Sequence, residues 1–441
     1  MADDVARDNA HAVEFFVGRL SACPGCGRPM SVQLTLPGAK AASWRCAHCG
    51  TTLNTSTAAA DPRVHGPGRS FESKRGAPPP LPRIFRSHGS IRESRPHRLN
   101  IRSPIESDVS RSLDRQIETG RVLHLPAQST AFRLKLSSPA RPEYDRSAME
   151  SLANRYHSTL DDVSRQFESL RNRGTSQIDV WRGLAAEYLA RYAADQDLLA
   201  CMAIRPTHGD YPARHSLHTA IVAMAVASTL GWDEPTLIDV ALGCFLHDAG
   251  MQQLDAIDVR APRAFGAAEI TAVAAHPVHT LDLLKHQWSD HSDTSRMVAY
   301  QMHERCNGTG YPSGRSGGQI HPAAKVAAVA DAFVALCSPR PYRPALIPYY
   351  AMVALLDGVR VGLFDARAMR ALLQTVSLFP VGSNIALAGT TVGRVLRTNR
   401  DRYDRPVVEV WDAEDPSSSR TIVDLSREPD RWHPRPMPDV V

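Results

Sequence analysis

Apolar residues recur at three- and four-residue steps through Met149, Leu152, Tyr156, Leu160, Val163, Phe167 and Leu170. That spacing predicts one amphipathic helix with a single buried stripe. A second helix is predicted to follow, carrying Trp181, Leu184, Tyr188 and Tyr192. From 212 to 375 the pattern stays mostly helical, broken by Gly/Pro loops near 231, 262 and 306–322. Beyond about 380 the character changes. IALAGTTVGRVLRT and PVVEVW are β-rich and separated by the turn-like NRDRYD, which predicts a small hairpin or barrel-like unit over 379–441. Two strand-like pieces, RVLHLPA and AFRLKLS, precede the first long helix. The expected fold is mainly α: a linker segment and helical pair over 111–205, a larger helical domain over 206–378, and the β appendage.

Upstream of 110 the apolar periodicity disappears. Residues 56–110 are rich in Pro, Arg, Ser and Gly, include GAPPPLPR, and predict a disordered basic linker. This stretch collects the basic excess behind the net charge of +5. Such Arg-rich linkers are usually solvated, so nucleic acid is not the expected partner, although a ribbon and linker gripping phosphate is the reading that charge alone would suggest. The remaining composition, 43% hydrophobic and 22% charged, is that of an ordinary globular protein. Its most apolar run, AIVAMAVASTLGW, is too short to span a bilayer. MADDVARDNA has no secretory character, so the expected location is the cytoplasm.

Four of the eight cysteines form two C-x-x-C pairs, Cys23/Cys26 and Cys46/Cys49, each followed by glycine. Residues 27–45 between them suit a β-hairpin. Two such knuckles place four thiolates around one Zn²⁺, and the metal supplies folding energy that a unit over 8–55 cannot draw from a core. The competing reading, a pair of redox dithiols, lacks a surrounding βαβ pattern. A zinc-ribbon-like unit with one structural Zn is expected, serving nucleic-acid binding, protein docking or stability alone.

The central helices hold His215, His247-Asp248, His276-Pro277, His303-Glu304 and Asp331. His247-Asp248 ends the apolar helix LIDVALGCFLHDAG, and Asp331 lies within AAKVAAVADAFVAL. Unpaired charges there would be costly, and a cation shared by several imidazoles and two carboxylates resolves both. Such N/O donor sets suit Fe, Mn or Zn.

The segments HSLHTA, HDAGM, HPVHT, HERCNGTGYP, AVADAFVAL and RPYRPAL, in that order over about 211–375, resemble the HD-GYP family of cyclic di-GMP phosphodiesterases, and the tail beginning LFPVG resembles the one that often follows that domain. The resemblance implies an HD-type helical bundle. It implies that His215, His247, Asp248 and Asp331 form one metal site, that His276 and His303 hold a second metal, and that Asp248 bridges. His247, Asp248, Glu304 and Tyr311 are then the expected catalytic residues. Gly308, Gly310, Tyr311, Pro312 and Arg343 are the expected substrate contacts, with two glycines allowing close approach and Pro312 stiffening the turn. Two cations about 3.5–4 Å apart would activate a water and hold the phosphoryl oxygens as charge builds. The GYP loop or the ribbon would also offer a surface to a signalling partner.

Several positions depart from the family pattern. Met251 stands where Lys is usual, Met302 where a second histidine precedes His303, Asn307 where Asp is usual, and Tyr211 where some members carry a Glu for a third metal. A thioether is a poor ligand for hard cations, so the second metal is expected to be weakened and a trinuclear centre is not expected. His218 and His279 each lie three residues after a proposed ligand and could substitute. Two functions compete: an active metal-dependent phosphodiesterase, and a catalytically weak domain acting as nucleotide receptor or protein-interaction module.

Overall fold

The structure, a computed structural model, describes residues 102–123, 146–204, 211–254, 257, 263, 265–340, 345–415, 419–428 and 431–437, together with three short strands nearer the N-terminus. Those strands, β1 (Ser31–Val32), β2 (Ser43–Arg45) and β3 (Thr52–Asn54), form an antiparallel sheet in the order β1-β2-β3, with Val32 opposite Trp44 and Trp44 opposite Leu53. The β1–β2 pairing lies within the stretch expected to be a hairpin. Cys23, Cys26, Cys46 and Cys49 lie outside the described residues.

The helical part begins with α1 (Asp108–Glu118), which starts inside the stretch expected to be linker. Ser107 caps it: its hydroxyl accepts from the Ser110 amide while Ser110 Oγ accepts from the Ser107 amide. Leu113 and Ile117, one helical turn apart, are its buried apolar side chains. Arg121–Leu123, the start of the strand-like RVLHLPA, lie in and just after a turn, and residues 124–145 lie outside the described set. The long helix α2 (Arg146–Arg173) buries Leu152, Tyr156, Val163, Phe167 and Leu170 as the pattern predicts, whereas Met149 is exposed. α3 (Ile178–Ala194) buries Trp181, Leu184, Tyr188 and Tyr192, and α4 (Gln196–Ile204) follows at once.

α5 (Ala213–Thr229) is buried on every side from His215 to Ala227, which makes it the axis of the domain. It packs against α6 (Glu234–Leu246), whose start is fixed by Asp233 accepting from the Thr236 amide. Next come a 3₁₀ turn (Ala249–Gln253), α7 (Ala267–Val273), α8 (His276–Leu283) and α9 (Asp293–Gln301). α6 and α9 approach so closely that a β-carbon on Gly243 would lie 2.4 Å from Val298 Cβ. α10 (Pro322–Cys337) is alanine-rich and capped by the His321 ring, which accepts from the Ala323 amide. It packs against α5, and α11 (Pro348–Arg360) and α12 (Ala366–Val376) complete the helical part. Among the described residues no helix is long and apolar enough to cross a membrane.

The tail forms β4 (Asn384–Ala386), β5 (Thr391–Arg397), β6 (Val407–Asp412), β7 (Thr421–Asp424) and β8 (Arg435–Pro436), an antiparallel sheet in the order β7-β6-β5-β4-β8. The expected appendage is therefore present as a five-stranded sheet. It has its own core of Ile385, Val395, Val408, Leu425 and Trp432. A polar latch fastens it to the helices: Arg397 donates to Asp195 at 2.7 and 2.8 Å, and Thr398 Oγ1 donates to buried Asp197 at 2.6 Å.

Candidate metal centre

Five buried elements converge on one cluster. His215 comes from the first turn of α5, His247 and Asp248 from the end of α6, His276 from the start of α8, His303 from just beyond α9, and Asp331 from the middle of α10. The turn after Asp248 is pressed onto α8, because a β-carbon on Gly250 would sit 2.1 Å from the His276 carbonyl oxygen. Thr280 staples the two: its hydroxyl accepts from the Gly250 amide and donates to the His247 carbonyl, both at 2.9 Å.

The tautomers of two histidines follow from their partners. His247 Nδ1 donates to the Cys244 carbonyl and His276 Nδ1 to the Val273 carbonyl, each at 2.7 Å. A carbonyl only accepts, so the lone pair in each ring is on Nε2. These Nε2 atoms lie 3.2 and 3.4 Å from the oxygens of Asp248, yet neither they nor His303 Nε2 has a hydrogen-bond partner. His215 Nε2 lies 2.9 Å from Asp331 Oδ1, and His303 Nδ1 lies 3.6 Å from Asp331 Oδ2.

Burial pulls the His247 imidazole down, but Asp248 outweighs it and raises the ring to about 9. Burial dominates at His215, His276 and His303, whose rings are lowered and stay neutral. Burial acts to raise the Asp248 carboxyl as well, yet the surrounding imidazoles, His247 first, hold it well below the usual carboxylate range. Two ionised carboxylates thus face the neutral imidazoles of His215, His276 and His303, with the raised His247 ring beside Asp248.

The donor atoms fall into two groups, His215–His247–Asp248 and Asp248–His276–His303, each with all atoms within 4.8 Å of one another. Asp248 belongs to both. The residues fit divalent cations: buried, unpartnered imidazole lone pairs and ionised carboxylates are the donors that Fe, Mn or Zn accept. The cluster is thereby suited to hold divalent metal.

Beside this cluster lies the loop Gly308-Thr309-Gly310-Tyr311-Pro312. Gly310 runs directly along the backbone of His303–Arg305, where an added β-carbon would meet the Arg305 nitrogen and the His303 oxygen at 2.4 Å. Gly308 adopts φ of +80°, which favours glycine. The Tyr311 amide donates to the His303 carbonyl at 3.2 Å, and its ring stacks on the His303 ring at 5.0 Å. Pro312 is buried. Glu304, expected among the catalytic residues, has both oxygens engaged by the loop itself: they accept from the amides of Ser313 at 2.8 Å and Arg315 at 2.9 Å. Burial pushes this carboxyl up to about 7 in spite of those donors. Arg343 lies outside the described residues.

Met302, expected to weaken the second metal, is fully buried and is part of the hydrophobic core. His218 is likewise engaged elsewhere, hydrogen-bonded to Tyr156 Oη at 2.8 Å, and His279 is in neither donor group. Tyr211 contributes something the motif reading did not assign: its hydroxyl donates to Asp248 Oδ2 at 2.8 Å, and Arg340 covers its ring at 4.7 Å.

Residues 200–368 match the family described as HD domain. The chain is 26% identical over 308 residues to a Pseudomonas aeruginosa protein named cyclic di-GMP phosphodiesterase, a match covering 67% of this chain and 72% of that one. It is 34% identical over 153 residues to the cyclic di-GMP phosphodiesterase response regulator RpfG of Xanthomonas campestris, covering 35% of this chain and 40% of that protein. It is 30% identical over 170 residues to the 3'3'-cGAMP-specific phosphodiesterase 3 of Vibrio cholerae, covering 38% of this chain and 36% of the relative. The chain therefore spans less than half the length of the latter two.

Proposed function

We propose that this protein is an HD-GYP-type, metal-dependent phosphodiesterase that hydrolyses a cyclic dinucleotide, cyclic di-GMP foremost. One observation carries the reading: Asp248 is shared by two donor groups, in which the buried Nε2 atoms of His247, His276 and His303 have no hydrogen-bond partner. That is the arrangement a bridging carboxylate needs. Bound divalent cations would supply Lewis acidity for the phosphoryl oxygens and lower the pKa of water. His215, His247, Asp248 and Asp331 would hold one, and His276, His303 and the shared Asp248 the other.

The remaining residues bind and orient. The Tyr311 ring, fixed on His303, forms a wall beside the cluster on which a nucleobase would stack. Gly308 and Gly310 keep the backbone close to that wall, Pro312 anchors its end, and Arg343 is assigned to a substrate phosphate. Glu304 acts through the loop, positioning it rather than exchanging protons with substrate. The names of the three relatives support a cyclic dinucleotide as substrate class and leave open which one. The N-terminal cysteines are assigned one structural zinc, with the ribbon or the GYP loop as docking surface for a signalling protein, in the cytoplasm.

The test is metal analysis of the purified full chain, with hydrolysis of cyclic di-GMP and 3'3'-cGAMP followed in parallel. Asp248→Ala is expected to lose metal and fall to background turnover. Hydrolysis at the wild-type rate by that variant refutes the reading, and tight binding of cyclic di-GMP without cleavage by the metal-loaded wild type identifies a receptor instead.

A further inference from the structure

The loop beside the metal centre is held from outside the HD segment. Residues 102–118 precede that segment in the chain by more than eighty residues, yet they contact the far end of the GYP loop. The Ser103 amide donates to the Pro312 carbonyl at 2.8 Å. Asp114, midway along α1, accepts from Arg315 Nη2 at 2.7 Å and from the Tyr300 hydroxyl at 3.1 Å. That hydroxyl also lies 3.2 Å from Ser313 Oγ, so a chain of hydroxyls runs from the loop to the carboxylate. Arg315 is 8% exposed. A guanidinium buried to that degree is stable only against an anion, and Asp114 is the carboxylate paired with it.

We propose that Asp114 is a positioning residue for the GYP loop. Two carboxylates grip residues 313–315: Glu304 takes the backbone amides and Asp114 takes the Arg315 side chain. The first belongs to the HD segment and the second does not. With Ser313–Arg315 fixed at one end and Gly310 wedged against His303–Arg305 at the other, Tyr311 has one place to stand, on the His303 ring. Releasing Asp114 frees one end of that span. The inference rests on the proposed phosphodiesterase reading for its catalytic consequence, and on geometry alone for the loop.

The experiment uses the full chain with Asp114→Asn, which keeps the side-chain shape and removes the charge, Asp114→Glu as the conservative rescue, and Tyr300→Phe as a milder second lesion. Amide hydrogen exchange over 303–315 is compared with exchange in α5 and α10, alongside bound metal, KM and kcat on cyclic di-GMP. Asp114→Asn is expected to speed exchange of the loop amides roughly tenfold or more, the loss of one charge-assisted hydrogen bond to a buried group, with α5, α10 and metal content unchanged. KM is expected to rise about fivefold to tenfold while kcat stays within about twofold, since the wall binds substrate and the metals do the activation. Asp114→Glu should restore most of both, and Tyr300→Phe should fall between. Loop exchange that stays at the wild-type rate in Asp114→Asn overturns the proposal. Should Asp114→Asn fail to fold, unchanged loop exchange in Tyr300→Phe overturns it equally. If the wild-type chain cleaves no cyclic dinucleotide, the functional reading fails while loop exchange still decides the role of Asp114.

Discussion

Gly310→Ala is the smallest change that should disable the site without touching a ligand. The added β-carbon would lie 2.4 Å from both the Arg305 nitrogen and the His303 oxygen, and 2.5 Å from the Glu304 carbonyl carbon. All three are backbone atoms, so no side chain can swing aside. To reach ordinary contact at 3.4 Å the loop and the His303–Arg305 segment must part by about 1 Å, a displacement of the order that costs about 100-fold in rate when it misplaces a group around a reacting centre. The atoms on one side of that gap belong to a metal-ligand residue, and those on the other carry Tyr311, whose amide bond to the His303 carbonyl is already 3.2 Å long. Separation by the required amount breaks it. The stability cost is that of local overpacking, about 1–3 kcal/mol.

The assay is kcat/KM on cyclic di-GMP beside bound metal and thermal midpoint. A fall of about 100-fold in kcat/KM with metal retained is expected, because the added carbon meets backbone atoms and none of the donor atoms. Activity within a factor of two of wild type, in a variant that folds, refutes the claim that this contact fixes the wall. Loss of both metals would also refute it, since it would place the loop in charge of the ligands themselves.

Met302→His is expected to lower stability by about 2–4 kcal/mol and add no metal, because an imidazole there enters the apolar core without a partner; chemical denaturation and metal stoichiometry check both. Tyr211→Phe removes the hydroxyl that donates to Asp248 Oδ2 and should weaken metal binding about tenfold, measured by calorimetric titration of the metal-free protein, with little change in thermal midpoint once metal is in excess.

The helices were legible because their burial is one-sided or complete. The stripe from Leu152 to Leu170 and the all-apolar run of α5 each leave a clear period, and the buried polar residues His247, Asp248 and Asp331 stand out against such backgrounds. The ligand set was legible for the same reason: a charge inside an apolar helix has to be answered by something. What was not legible is contact at long range between residues of ordinary type. Asp114 sits in an eleven-residue helix with two buried apolar side chains, preceded by a Pro/Arg-rich stretch, so nothing local marks it as the partner of Arg315. Thr280 was invisible too, since a threonine in a helix carries no sign that its hydroxyl spans two backbones. The partners of Glu304 had no local sign either: its carboxylate accepts from the Ser313 and Arg315 amides, nine and eleven residues on.

Met302 shows how far a substituted motif position can be trusted. Read along the sequence, a methionine where a histidine is usual looks like a ligand lost. In the fold, Met302 closes the end of α9 and is fully buried as part of the hydrophobic core, while His303 lies 3.9 Å from Asp248. A thioether suits a fully buried place in an apolar core better than an imidazole would. The second donor group, Asp248, His276 and His303, offers three protein donors, the count common in catalytic zinc sites and one short of a closed structural one. Met251, half-buried in the 3₁₀ turn after Asp248, is not a donor of either group, so a charge missing there leaves the donor set as it is.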